Sequence, residues 1–280
     1  MDRTILITGC SSGIGLCVAR GLKARGYRVV ATARKAADVA RLVDEGFEAR
    51  RLDLDDSASI RAAVAETVAA APDGIYGLFN NGAWGLPGAV EDLPRDGLRA
   101  QFETNLFGTV ELTNRVIARM RERGGGRIIH NSSVLGLVAF PYRGAYNASK
   151  FALEGIADTQ RMELAGTGIH ISLIEPGPIE SRFRENAYKA YQRWIDKAGS
   201  AHRAQYEAME ARLLKEGPAA PFTLPPEAVL EKVIHALESP RPKIRYYVTV
   251  PTKVFGLLRR LLPARWLDAA LVKASRGGSR

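Results

Sequence analysis

Cysteine is nearly absent: Cys10 and Cys17 are the only two in 280 residues. That excludes a disulfide-stapled scaffold and fits a reducing compartment, in which both thiols stay free. Histidine is scarce too, with four residues. His130, His170, His202 and His235 show no ligand spacing among themselves, so no metal site is expected. No apolar run approaches the roughly 18 residues that a membrane-spanning helix needs. No basic leader followed by an apolar stretch opens the chain, so a cytoplasmic protein is expected. Internal repeats and low-complexity tracts are lacking too, and with them the case for a solenoid or a disordered chain.

Acidic residues are scarce only in one place. The net charge is +10, yet from Arg241 onward ten Lys/Arg accompany a single acid, Asp268. The first 240 residues are close to neutral, so the basic character belongs to the C-terminal tail. A nucleic-acid-binding core domain is therefore not expected.

What is present is alternation. Short runs, most of them rich in Val and Ile, at residues 4–8, 29–31, 75–79, 127–130, 170–174 and 245–250 read as strands, and the more polar run at 48–52 reads as a further one. Helical patterns fall between them at residues 14–25, 37–45, 95–121 and 145–165, and Ser57 is the expected N-cap of a further helix running toward Ala71. Strands alternating with helices require crossovers. The expected fold is α/β, a Rossmann-like doubly wound parallel sheet of about seven strands with helices on both faces. Residues 1–250 read as one catalytic domain, with 182–226 as an insertion that covers substrate. Residues 251–280 read as a basic amphipathic extension.

Between the first strand and first helix lies Thr8-Gly9-Cys10-Ser11-Ser12-Gly13-Ile14-Gly15. Glycines at 9, 13 and 15 let backbone turn sharply and approach a pyrophosphate, and the helix N-terminus behind them offers N–H groups and positive dipole. The spacing is not the common G-x-G-x-x-G. Ser11 and Ser12 add hydroxyl donors. Arg34 and Lys35 follow the second strand, where an adenosine ribose would sit, and cations there suit a 2′-phosphate. NADP(H) is the expected cofactor.

Tyr146 and Lys150 are four residues apart near the start of a helix, hence on one face. A tyrosine titrates near pH 10 and is a poor acid–base group at neutrality; a nearby ammonium is expected to lower that value. Ser133, in the loop before, can hydrogen-bond a substrate oxygen.

These motifs, in this order, resemble the short-chain dehydrogenase/reductase family in its single-domain branch. The resemblance covers about residues 4–180 strongly and the remainder weakly. Asp53-Leu54 resembles the family's adenine-contacting pair. Asn80-Asn81-Gly82-Ala83 resembles its N-N-A-G segment with the last two residues exchanged, which puts the local loop path in question. Asn105 matches the family's helix asparagine, and Pro176-Gly177 with Ile179 matches the turn that lies against the nicotinamide. The resemblance implies that Tyr146 donates the proton and Ser133 holds the substrate oxygen. It also implies that Lys150 grips the nicotinamide ribose and that Asn105 orders a water in a proton relay. Pairing as a homodimer or homotetramer through the helices after the fourth and fifth strands is implied as well.

Within the branch, the motifs look most like those of hydroxysteroid and retinol dehydrogenases and bacterial aldehyde reductases, which implies a bulky apolar carbonyl or alcohol substrate. Trp84, after the Asn-Asn segment, is a candidate substrate contact beside Ser133 and Tyr146. Aromatics in 182–215 either line a pocket or pack as core. Reduction of an apolar aldehyde or ketone is the expected reaction. An NAD-linked hydroxysteroid or retinol-like alcohol dehydrogenase and a non-catalytic dinucleotide-binding sensor or scaffold stay open as alternatives. The tail at 253–280 has two readings: contact with an anionic membrane surface, or an element that covers the cleft or pairs two subunits.

Overall fold

The computed structural model describes residues 3–218 and 220–276. Residues 277–280, which include Arg280 of the basic tail, lie outside the described residues. Among the described residues seven strands are formed: β1 (Thr4–Ile7), β2 (Arg28–Ala33), β3 (Glu48–Arg51), β4 (Ile75–Asn80), β5 (Gly126–Asn131), β6 (Ile169–Glu175) and β7 (Arg245–Tyr247). They make one sheet in the order β3-β2-β1-β4-β5-β6-β7, with every neighbouring pair parallel. The order reverses between β1 and β4, and a crevice opens at the carboxyl ends of the strands at such a switch point.

Both sheet faces are buried in the centre of the sheet, which is why β1, β2, β4, β5 and β6 read as largely apolar runs, whereas the edge strand β3 is polar and partly exposed. Side chains alternate along β1. Ile5 and Ile7 face a layer built by α1 (Gly13–Ala24), α2 (Ala36–Asp44) and α9 (Glu227–Glu238), where they meet Val18, Leu22, Leu42, Val229 and Val233. Leu6 faces the other way, toward α3 (Ser57–Ala70), α5 (Thr109–Arg123) and α6 (Gly144–Glu163), among Ile60, Val64, Leu112 and Val116. Each such fully buried aliphatic side chain contributes about 1.5–3 kcal/mol.

Three local expectations differ from what forms. Helix α3 is capped by Asp56, whose carboxylate accepts from Ala58 N at 2.8 Å; Ser57 is already helical. The single helix expected over 95–121 is divided into α4 (Arg95–Phe102) and α5 by a π-helical turn, Glu103–Gly108. An extra residue in that turn swings Asn105 inward, and Gly108 passes so close to Leu54 that a Cβ there would lie 1.8 Å from the Leu54 carbonyl oxygen. Strand β7 stops at Tyr247 because Thr249 becomes the N-cap of α10 (Val250–Leu261).

The segment after β6 forms α7 (Phe183–Trp194) and α8 (Arg203–Leu214). Their aromatics make a separate core over the β4 loop, with Tyr191 and Tyr206 buried against Leu86 and Ala145. The tail forms α10 and α11 (Ala264–Arg276) and folds back: Phe255, Leu267 and Leu271 pack against Val134, Leu135, Val138 and Phe140.

Candidate active site

The glycine turn is built for close approach. Gly9 and Gly13 have φ of 72° and 55°. At Gly15 a Cβ would lie 2.3 Å from the Gly9 carbonyl oxygen and 2.6 Å from Asn81 Nδ2. Helix α1 opens with no acidic residue in its first turn and no side-chain cap on its N–H groups. An anion is therefore the natural partner of that terminus, and the turn fits a pyrophosphate. Cys10 is buried inside the turn and pushed up to about 12 by burial, which makes it an inert thiol.

A frame of hydrogen bonds carries this turn to α6. Thr8 Oγ1 accepts from Asn81 N at 2.9 Å and Gly82 N at 2.8 Å, while Asn81 Nδ2 donates to Thr8 O at 3.0 Å. Asn131, at the end of β5, donates to Asn81 Oδ1 at 2.9 Å, and Lys150 Nζ donates to Asn131 O at 2.7 Å. The ends of β1, β4 and β5 and the lysine are thereby held in one network. Asn80 is turned away from it: its amide donates to Thr113 Oγ1 at 2.8 Å and to His130 Nδ1 at 3.2 Å, in the core.

Ser133 follows β5 and opens a short 3-10 turn, Val134–Gly136; its Oγ accepts from Leu135 N at 3.1 Å, which leaves the hydroxyl proton to donate. Tyr146 lies in the first turn of α6, with Ser133 as its polar neighbour. Lys150 is one turn on, with Nζ 5.7 Å from the centre of the Tyr146 ring. Both are almost fully buried. Burial pushes the phenol above its ordinary value of 10, with Ser133 pulling it back. The lowering expected from Lys150 is not what results: desolvation of the phenolate is the largest effect on Tyr146, and Ser133 is what opposes it. Lys150 itself is pushed down to about 8 by burial, opposed by Glu154 one turn further along α6. At neutrality the pair is a neutral phenol, able to give a proton, above a mostly protonated amine.

Asn105 spends its amide elsewhere than on that pair: Nδ2 donates to Trp84 O at 2.9 Å and Ser149 Oγ at 3.1 Å, and Oδ1 accepts from Trp84 N at 3.1 Å. It fixes the loop beside the tyrosine. Trp84 is tied by its indole to Thr104 Oγ1 at 2.8 Å and rests against the aromatic core. Pro176 O accepts from Val134 N at 2.8 Å, which joins the β6 turn to the serine loop, and Gly177 fits against Thr249 with no room for a Cβ. Ile179 bridges to Leu224. Leu54 is buried and touches Gly82, while Asp53 Oδ1 accepts from Asp55 N at 3.2 Å. Arg34 and Lys35 are exposed just beyond the end of β2; burial pushes the nearby Asp55 carboxyl up, with Thr104 and the Arg34 charge opposing it.

Several residues escaped the sequence reading. Arg41 of α2 donates to Ser11 O at 2.5 Å and so braces the glycine turn. Gln101, fully buried in α4, holds both sides of the β4 loop through Trp84 O and Leu86 N, each at 2.7 Å. Phe183, one of the aromatics of the 182–215 segment expected either at a pocket or in the core, is the first residue of α7 and lies edge-on to Tyr146 with ring centres 5.2 Å apart, covering the phenol. Arg245 gathers Glu154, Asp158 and Glu175 directly behind Lys150.

A glycine turn at the switch point of a doubly wound sheet, with tyrosine, lysine and serine converging at the strand ends, is the arrangement of a dinucleotide-dependent dehydrogenase. The chain belongs to the short-chain dehydrogenase family, whose pattern matches residues 3–192, and with it to the oxidoreductases that act on hydroxyl or carbonyl groups with a nicotinamide cofactor. It is 44% identical over 271 residues to an uncharacterized oxidoreductase of Escherichia coli, YbbO, covering 97% of this chain and 94% of that protein. It is 34% identical over 265 residues to 17-beta-hydroxysteroid dehydrogenase type 1 of Homo sapiens, covering 89% of this chain and 78% of that one. Among solved structures, a variant of actinorhodin polyketide ketoreductase with NADPH matches at a TM-score of 0.73 and 28% identity, over 89% of this chain and 95% of its own.

Proposed function

We propose that the protein is an NADP(H)-dependent reductase of apolar aldehydes or ketones, with Tyr146 as its general acid and, in the reverse direction, its general base. The observation that carries this is geometric: Tyr146 sits beside Ser133, with Lys150 one turn on and tied through Asn131 and Asn81 to the glycine turn. A bound nicotinamide supplies the hydride that reduces the carbonyl carbon. Gly9, Ser11, Ser12, Gly13, Ile14 and Gly15 would hold its pyrophosphate end, Asp53, Leu54 and Gly82 its adenosine, and Pro176, Gly177 and Ile179 its ring. Tyr146 gives its hydroxyl proton to the carbonyl oxygen as negative charge builds there. Ser133 donates a second hydrogen bond to that oxygen. The Lys150 ammonium favours the phenolate left behind. Residues 182–226 act as a lid that keeps water from the phenol, with Phe183 closing over it.

The choice of NADP(H) rests on Arg34 and Lys35, exposed where the 2′-phosphate would lie. The apolar substrate rests on the aromatic core beneath α7 and α8. Similarity to a hydroxysteroid dehydrogenase supports a ketosteroid as one member of the substrate class. Subunits pair through the α5–α6 face, where Leu106, Phe107, Val110 and Ile156 line a shallow apolar hollow and Phe107 is 54% exposed. The test is cofactor oxidation over a panel of aliphatic aldehydes, aromatic ketones and a ketosteroid, with NADPH and NADH in parallel. Turnover of apolar carbonyls with NADPH preferred is expected. A protein that binds the cofactor and turns over no member is a sensor instead.

A further inference from the structure

We propose that α10 and the start of α11 dock the protein on an anionic lipid surface. The two faces of α10 differ. One packs inward: Thr252 and Gly256 are buried, and Phe255 meets Phe140 edge-on with ring centres 5.6 Å apart. The other carries Val250, Val254, Leu257 and Leu261, spaced four, three and four residues apart, so they form one stripe along the helix. These side chains are between 45% and 67% exposed, and Trp266 in α11 is 69% exposed. Single exposed aliphatics are ordinary; four in register on one helix mark an interaction surface.

Charge selects the occupant. Lys253 and Arg260 fall beside the stripe by helical spacing, Arg265 precedes Trp266, and all three are exposed. Residues 241–280 hold ten cations and one acid. A second copy pairing on this stripe about a two-fold axis would bring Lys253 and Arg260 against their own counterparts, a like-charge contact. An anionic bilayer accepts the same pattern. The stripe enters the boundary between headgroups and acyl chains, the long basic side chains reach the phosphates, and an exposed tryptophan is favoured at that depth.

The inner face of the tail rests on the turn that follows Ser133, so the docked surface lies one helix away from the site. A lipophilic carbonyl could then pass from the membrane to the cleft without crossing bulk water. That delivery rests on the reductase reading above; the docking does not.

Sedimentation of the full-length protein with vesicles decides it, using phosphatidylcholine alone or mixed equally with phosphatidylserine. Binding to the mixed vesicles at low salt, lost at high salt, is expected. Arg260→Gln should weaken it about fivefold. Leu257→Ser combined with Leu261→Ser should weaken it about tenfold or more. Both variants should keep full turnover of a water-soluble aldehyde, which shows that they are folded. Absence of binding to mixed vesicles at low salt overturns the proposal, and so does undiminished binding by the serine variant. Light scattering that shows a doubled mass, abolished by the serine variant, assigns the stripe to a second copy and also overturns it. Failure of the reductase reading looks different: no carbonyl is turned over while vesicle binding persists.

Discussion

Replacing Glu175 with Gln should abolish most of the fall in stability that the protein shows between about pH 6.5 and 8. Glu175 is fully buried at the end of β6, next to Pro176. It shares the Arg245 guanidinium with two other carboxyls: Arg245 Nη2 lies 3.0 Å from Glu154 Oε2 and 2.8 Å from Asp158 Oδ2, and Nε lies 3.1 Å from Glu175 Oε1. One cation cannot compensate three anions out of water. Burial, and then repulsion from Glu154, pushes the Glu175 carboxyl from its ordinary 4.5 up to about 9, so it keeps its proton through neutrality. The unfolded chain has released that proton by then. Between the two values the folded state binds more protons than the unfolded one, and stability falls as pH rises. The slope is about 1.4 kcal/mol per pH unit, or about 2 kcal/mol between pH 6.5 and 8. Burial raises the neighbouring Glu154 carboxyl too, which adds to the fall, while His130 and Lys150 oppose it. His130, pushed down to about 3 by burial, is neutral in the folded state, and its contribution is nearly complete above its ordinary 6.5. Lys150, pushed down to about 8, is half deprotonated in the folded state at the top of the window while the unfolded lysine keeps its proton, an opposing effect present in both proteins alike. Gln reproduces the size and hydrogen bonding of the protonated carboxyl and cannot ionise. Urea unfolding followed by tryptophan fluorescence, on both proteins at both pH values, is the assay. Wild type should lose about 2 kcal/mol more than the variant on going to the higher pH. Equal pH dependence, with the variant weaker throughout, would mean that Glu175 is ionised and paired with Arg245, and would refute the reasoning.

Tyr146→Phe should lower kcat/KM for carbonyl reduction by at least about 10²-fold, the lower range for a general acid, while cofactor titration by fluorescence stays unchanged. Gly15→Ala should abolish cofactor binding and cost about 1–3 kcal/mol in urea unfolding, because the new methyl meets the Gly9 carbonyl, which is backbone and cannot turn aside. Arg34→Glu should weaken NADPH by about tenfold or more and leave NADH nearly unchanged, read by paired fluorescence titrations. Phe107→Glu, on the exposed α5–α6 face, should shift the mass seen by light scattering toward the monomer without loss of helical circular dichroism.

The sheet was legible because its strands are buried on both faces and so stand out as short Val/Ile runs between longer helical patterns. The glycine turn and the Tyr146–Lys150 pair were legible because their spacing is local. What escaped depends on contacts across the chain. The π-helical turn at Glu103–Gly108 has no sequence period of its own, so residues 95–121 read as one helix. Asp56 outcompetes Ser57 as the cap of α3 by a single position, a difference that pattern alone cannot resolve. Apolar residues in the tail announced an amphipathic pattern but not its partner; only the folded chain shows Phe255 and Leu271 on the serine turn and Leu257 and Leu261 turned outward. The Arg245 cluster had a signal that went unread. Glu154 follows Lys150 by four residues, and Glu175 ends an otherwise apolar strand, so two carboxyls were bound to be buried near the lysine and to need a cation.

The central claim is that Tyr146, Ser133 and Lys150 complete a hydride transfer to a carbonyl. Deuterium carried on the transferring position of NADPH follows that atom directly. With an apolar ketone accepted by the wild-type enzyme, mass spectrometry should find one deuterium on the carbinol carbon, and Tyr146→Phe should form that product at least about 10²-fold more slowly. Unlabelled alcohol from the wild type, or labelled alcohol formed by Tyr146→Phe at the wild-type rate, would contradict the account.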